Sequence, residues 1–160
     1  FERSVRRKVM THLAVSGTED LGSGLILTSV VIDIERIGDY TKNIYDLSKF
    51  YSKRLNGAEL EKDLAEVEEN VIALFQNSIK AFKEQDIELA RELMKDYKEN
   101  ISKQSDKITN DIISGKINIE ADRATAIAMY SRYLKRIAAH SRNLISSIVN
   151  PFERIGYKEE

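Results

Sequence analysis

The sequence predicts an all-α fold, an up-and-down helical bundle, on three observations. Apolar residues recur at spacings of three, four and seven through nearly the whole chain. The breaks between these stretches are short and carry capping or turn residues, and the single proline, Pro151, lies beyond the last stretch. Short connections between long helices imply antiparallel neighbours. A chain of 160 residues, 42% hydrophobic, buries roughly 70% of its unfolded surface and needs no covalent staple.

Four long helices are expected, preceded by part of another. Phe1 to Leu13 reads as the tail of an earlier helix with Val5, Val9 and Leu13 inward. The first full helix starts at Thr18 or Asp20 as cap and ends at Asn56-Gly57. Its expected apolar stripe is Leu27, Val30, Ile34, Ile37, Ile44, Leu47 and Tyr51. The second presents Leu60, Leu64, Val67, Val71, Leu74, Ser78 and Phe82. Gln85-Asp86 breaks the pattern, with Asp86 a natural N-cap for the third helix. That helix turns Ala90, Leu93, Met94, Tyr97, Ile101, Ile108 and Ile112 inward and stops at Ser114-Gly115. The last runs from about Glu120, with Ala124, Ile127, Tyr130, Leu134, Ile137, Leu144 and Ile148 inward. Asn150-Pro151 ends it, because proline disfavours helix in the residue before it.

Composition removes several function classes. No cysteine is present, which excludes disulfides, thiolate metal sites and cysteine nucleophiles and fits a reducing, cytoplasmic compartment. With 25 basic and 26 acidic side chains the net charge is −1, so no global field favours nucleic acid. Leu25 to Ile34 is interrupted by Thr28, Ser29 and Asp33 and is too short to span a bilayer. The two histidines, His12 and His140, lack the Glu-x-x-His spacing of di-iron bundles. There is no glycine-rich phosphate loop and no Ser/His/Asp set, so no enzyme is expected. Tyr40, Tyr45, Tyr51, Tyr130 and Tyr133 are expected as core or interface aromatics.

The most informative stretch is Glu35-Arg36-Ile37-Gly38-Asp39-Tyr40, running on to Asn43-Ile44. It sets two carboxylates one helical turn apart, a like-charge pairing that costs about 0.2–0.5 kcal/mol unless a cation, a partner or Arg36 and Lys42 answers it. Gly38 costs a further ~1 kcal/mol relative to alanine, which points to close helix approach, the more usual cause, or to a ligand near the backbone. The segment from Glu35 to Ile44 aligns without gaps on Lys135 to Leu144, and a Ser-Gly stop precedes each helix, at Ser16-Gly17 and Ser114-Gly115. The chain therefore reads as a duplicated unit, residues 1–56 being the end of a first repeat and 57–160 a complete second one. A segment before Phe1 is expected.

These residues resemble the PhoU family, phosphate-signalling regulators built from two three-helix repeats. Glu35-Arg36-Ile37-Gly38-Asp39 with Asn43-Ile44 matches the signature in the third helix of a repeat. Asp86-Ile87-Glu88-Leu89-Ala90, on through Met94 and Asp96 to Ile101, looks like the junction into the second helix. Lys135-Arg136-Ile137 with Asn143 sits at the second copy. The resemblance implies a metal-binding pair at Glu35 and Asp39 for Mg, Mn, Fe or Zn, with Asp46 on the same face and Glu2 or an upstream segment supplying further donors. Lys135 and Ala139 replace the pair in the second copy, and Asn100 and Gln104 stand where family members often carry acids. At most one metal centre is expected.

The alternative for Glu35 and Asp39 is a solvated pair neutralised by Arg36 and Lys42. Taking about 100° per residue, Glu35, Asp39 and Asp46 fall within roughly 40° opposite the apolar stripe. The matching face of the last helix carries Arg132, Lys135, Arg136, His140 and Arg142, a basic surface suited to an acidic partner or phosphate groups. The role implied is a cytoplasmic adaptor for a phosphate transporter ATPase or its sensor kinase, meeting the membrane only through that partner and compatible with a homodimer. Two rivals stand beside it: a metal-free interaction module, including a cytosolic domain fused to a sodium/phosphate transporter, and a metal-dependent bundle enzyme. The tail Phe152 to Tyr157 reads as a chance echo of the signature or as a docking segment.

Overall fold

The computed structural model describes residues 1–16 and 18–159. They form α1 (Glu2–Ser16), α2 (Leu21–Phe50), α3 (Glu61–Glu84), α4 (Ile87–Asp96), α5 (Lys103–Ile113) and α6 (Ala121–Val149), with no strand among them. A π-helical segment, Tyr97–Ser102, joins α4 to α5 in one continuous helical run, the third helix of the sequence reading. Short 3-10 turns, Ala58–Leu60 and Phe152–Arg154, precede α3 and follow α6. No helix is long and apolar enough to cross a membrane among the described residues. Of the two Ser-Gly stops, Gly17 lies outside the described residues, whereas Gly115 takes φ +67 just past α5. That left-handed geometry is what makes glycine a helix stop.

The stripes expected for α3, the third helix and α6 turn inward. Leu74, Ile101, Ile108, Ile127 and Ile145 are fully buried in one cluster that reaches Ile37 on α2. Each such side chain contributes about 1.5–3 kcal/mol of burial. Asp86 caps α4 by accepting from the Leu89 N–H at 3.0 Å. At the α5–α6 crossing Ser105 donates to the Ser131 carbonyl at 3.0 Å, so two small residues let the backbones approach while their polar groups stay satisfied.

α2 departs from its expected stripe. Val30 and Ile37 are buried, but Leu27 and Ile34 are 41% and 40% exposed, and the inward row instead contains Asp33. The cause is packing: α2 lies mainly against α6 and α1, with a smaller contact to the 3-10 turn Phe152–Arg154, and the α6 side takes Asp33, Ile37 and Tyr40. The helix also stops at Phe50, before Asn56-Gly57. It runs antiparallel to α6 and by Phe50 has reached that helix's first turn, where Lys53 and Asp122 pair at 3.7 Å. Further turns would have nothing to pack on. Asp20 stands at the N-cap position but makes no capping bond; its carboxylate meets His12 at 2.8 Å.

The close helix approach expected at Gly38 is absent: a Cβ there would meet nothing within 4 Å. The crowded glycine is Gly24, where a Cβ would lie 2.9 Å from Leu13 and 3.1 Å from Val9 of α1. Tyr45 also corrects its expectation, being exposed under the Lys49 ammonium, 4.2 Å from the ring centroid.

Candidate functional site

α2 carries carboxylates of two kinds. Glu35, Asp39 and Asp46 point away from α6. Arg36 donates to Asp39 at 3.2 Å, Lys42 and Lys49 reach Asp46 at 3.4 and 3.7 Å, and Glu35 has no ion pair among the described residues. Pairs this exposed contribute little to stability. As a donor set for metal the face is short: among the described residues no group of three or more histidine and carboxylate side chains converges anywhere. Glu2 pairs with Arg6 at 2.6 Å within α1. Two oxygens one turn apart leave most of a Mg, Mn, Fe or Zn shell to be supplied from elsewhere. Asn100 and Gln104 are likewise engaged, with Asp96 and Glu66.

Asp33 is different. It is buried at the α2–α6 contact, where His140 Nδ1 lies 2.7 Å from its Oδ1 and the Asn143 amide donates to the same oxygen at 3.1 Å. The ring of Tyr40 stacks on His140 at 5.7 Å between centroids, and Arg136 donates from Nε to the Tyr40 hydroxyl at 3.1 Å. The hydrogen-bond pattern assigns the imidazole proton to Nδ1, leaving Nε2 to face Arg136 at 3.5 Å. The sequence reading placed His140 on a basic surface and passed over Asp33 as an interruption. The signal was available: Asp33 follows Val30 by three and precedes Ile37 by four, so it shares their face.

These contacts follow the internal sequence alignment. The gapless alignment pairs Asp33 with Tyr133 and Tyr40 with His140, and both Asp33–His140 and Tyr40–Tyr133 are contacts, the latter at 6.1 Å. Exchanging the two helices turns one contact into the other, as a two-fold relation between them requires. Ile37 and Ile137, equivalent in the alignment, are both buried in the core.

The four basic residues expected to form one partner surface have separate surroundings. Lys135 pairs with Asp106 of α5 at 2.6 Å, Arg136 lies over Tyr40, and Arg142 donates to the Gly156 carbonyl of the tail at 2.6 Å. Arg132 is exposed. At the other end of α2 an apolar cavity of about 300 Å³ is lined by Ile44, Leu47, Tyr51, Leu64 and Tyr130. Burial, reinforced by a hydrogen bond with Glu68, pushes the Tyr130 phenol up from its ordinary range.

Antiparallel helices with charged groups on their outer faces and a polar cluster at the α2–α6 contact define an all-α helical-bundle module. The chain belongs to the PhoU family, whose domain matches residues 64–148. The phosphate-specific transport system accessory protein PhoU homolog 1 of Thermotoga maritima is 30% identical over 119 residues, covering 73% of this chain and 51% of that protein. The corresponding PhoU homolog of Clostridium acetobutylicum is 23% identical over 157 residues, covering 93% of this chain and 69% of that protein. The chain thus spans about half the length of the first relative. No solved structure matches it.

Proposed function

We propose that the chain is the helical core of a cytoplasmic accessory regulator of phosphate uptake, an adaptor that docks on a phosphate transporter ATPase or its sensor kinase. The observation that carries this is the PhoU domain match together with two relatives named as accessory proteins of phosphate-specific transport systems. The outward face of α2 supplies the recognition chemistry. Glu35, Asp39 and Asp46 lie on it away from α6, so a docking partner reaches them without disturbing the bundle. An acidic face of this kind speeds encounter with a basic partner and selects against an acidic one.

Metal belongs to the same proposal. Glu35 and Asp39 offer two hard oxygen donors one turn apart, and the remaining ligands come from a segment or partner laid across α2. The test is to measure bound metal and transporter-ATPase binding for wild type and Glu35→Gln/Asp39→Asn. Metal content falling to background, with docking weakened by about tenfold, the size of one lost charge-assisted contact, is expected. Unchanged metal content would sink the metal assignment. The pairing of Asp39 with Arg36, and of Asp46 with Lys42, favours the second reading, a metal-free interaction module. That module retains docking in the presence of chelator.

A further inference from the structure

The tail after α6 builds a wall. Asn150 donates from its side-chain amide to the carbonyls of Arg154 and Tyr157 at 3.1 and 2.9 Å, and the Gly156 N–H donates to Ser146 at 2.7 Å. Arg142 holds the Gly156 carbonyl, and Glu159 closes on Arg91 of α4 at 2.6 Å. Between this tail, α4, the π-helical segment and α6 lies a cavity of about 290 Å³ lined by Arg91, Met94, Lys95, Tyr97, Lys98, Arg142, Lys158 and Glu159.

The charge in that cavity is unbalanced. Five of the eight lining side chains are cationic and one is a carboxylate, which Arg91 already occupies. Lys95, Lys98, Arg142 and Lys158 have no ion pair among the described residues. Arg142 is half-buried, and burial holds its guanidinium below the usual arginine range. Its one hydrogen bond goes to a neutral carbonyl, so a partly desolvated cation lacks a counter-charge. The cavity abuts the π-helical turn, an irregularity that costs regular helix hydrogen bonding and is frequent at functional sites.

We propose that this cavity is an anion site for a di- or triphosphate group. Several convergent cations suit an anion carrying more than one charge, and the planar fork of Arg142 beside lysine ammonium groups is the chemistry that takes phosphoryl oxygens. The volume exceeds the needs of one phosphate, and Met94 and Tyr97 give an apolar flank for a longer ligand. The site lies on α4, α6 and the tail, away from the outward face of α2, and stands independently of the docking function.

Calorimetric titration with inorganic phosphate, pyrophosphate, adenosine triphosphate and sulfate tests it. Pyrophosphate and the triphosphate bind more tightly than phosphate or sulfate, and high salt weakens them. Arg142→Gln weakens pyrophosphate by about tenfold. Because Arg142 also tethers the tail, Lys95→Gln/Lys98→Gln is the companion variant: both lysines are exposed, neither bonds the tail, and the loss persists with the fold intact. The proposal is overturned if pyrophosphate binds no better than sulfate, or if the lysine variant binds it as wild type does.

Discussion

α2 and α6 share a sequence pattern, yet α6 buries eleven residues and α2 only four. α6 is enclosed by α2, α3, α4 and α5, whereas α2 packs mainly on α1 and α6, with a small contact to the 3-10 turn after α6. Tertiary surroundings, rather than the shared sequence pattern, decide what each helix buries. α6 became the axis of the bundle, and α2 kept one face for α6 and another for solvent.

The two helices differ most in what they give the core. Ile127→Ala on α6 is expected to cost about 2–5 kcal/mol, the range for a truncated buried isoleucine. The same change at Ile34 on α2, already 40% exposed, should stay within about 1 kcal/mol. Urea denaturation of the two variants measures both, and similar losses would mean that α2 is enclosed as α6 is.

The glycines of α2 differ in their surroundings within one helix. Gly38→Ala meets open space and should stabilise by about 0.5–1 kcal/mol through helix propensity. Gly24→Ala forces Leu13 and Val9 aside, and overpacking there turns the gain into a loss of up to about 1 kcal/mol. Thermal melts of the pair, read for opposite signs, place the close approach of α1 at Gly24.

Much of the fold was legible because α3 and the third helix each bury one dominant face and leave the other to solvent, while α6 is enclosed by its neighbours. There the strongest apolar stripe and the inward face coincide, as Val67, Val71 and Leu74 illustrate. On α2 they do not. Leu27 and Ile34 belong to the most apolar row in sequence, but the row that meets α6 includes Asp33, which became tolerable only with His140 and Asn143 opposite. The inward placement of Asp33 is legible in its spacing to Val30 and Ile37, but its partners His140 and Asn143 are distant in sequence and leave no local signature, whereas Glu35 and Asp39 are neighbours in one motif. The cationic cavity was hidden for the same reason, since Arg91, Lys95, Arg142 and Lys158 meet only through the folded tail.

The carboxylates of α2 divide by surroundings: Asp33 is buried against α6, and Glu35 with Asp39 faces outward, where the proposed docking would use them. Chemical denaturation of Asp33→Ala beside Glu35→Gln/Asp39→Asn tests this most directly. The first should lose about 1–3 kcal/mol by stranding His140 and Asn143. The second should change stability by less than about 0.5 kcal/mol. Equal losses, or a larger loss from the outward pair, would contradict it.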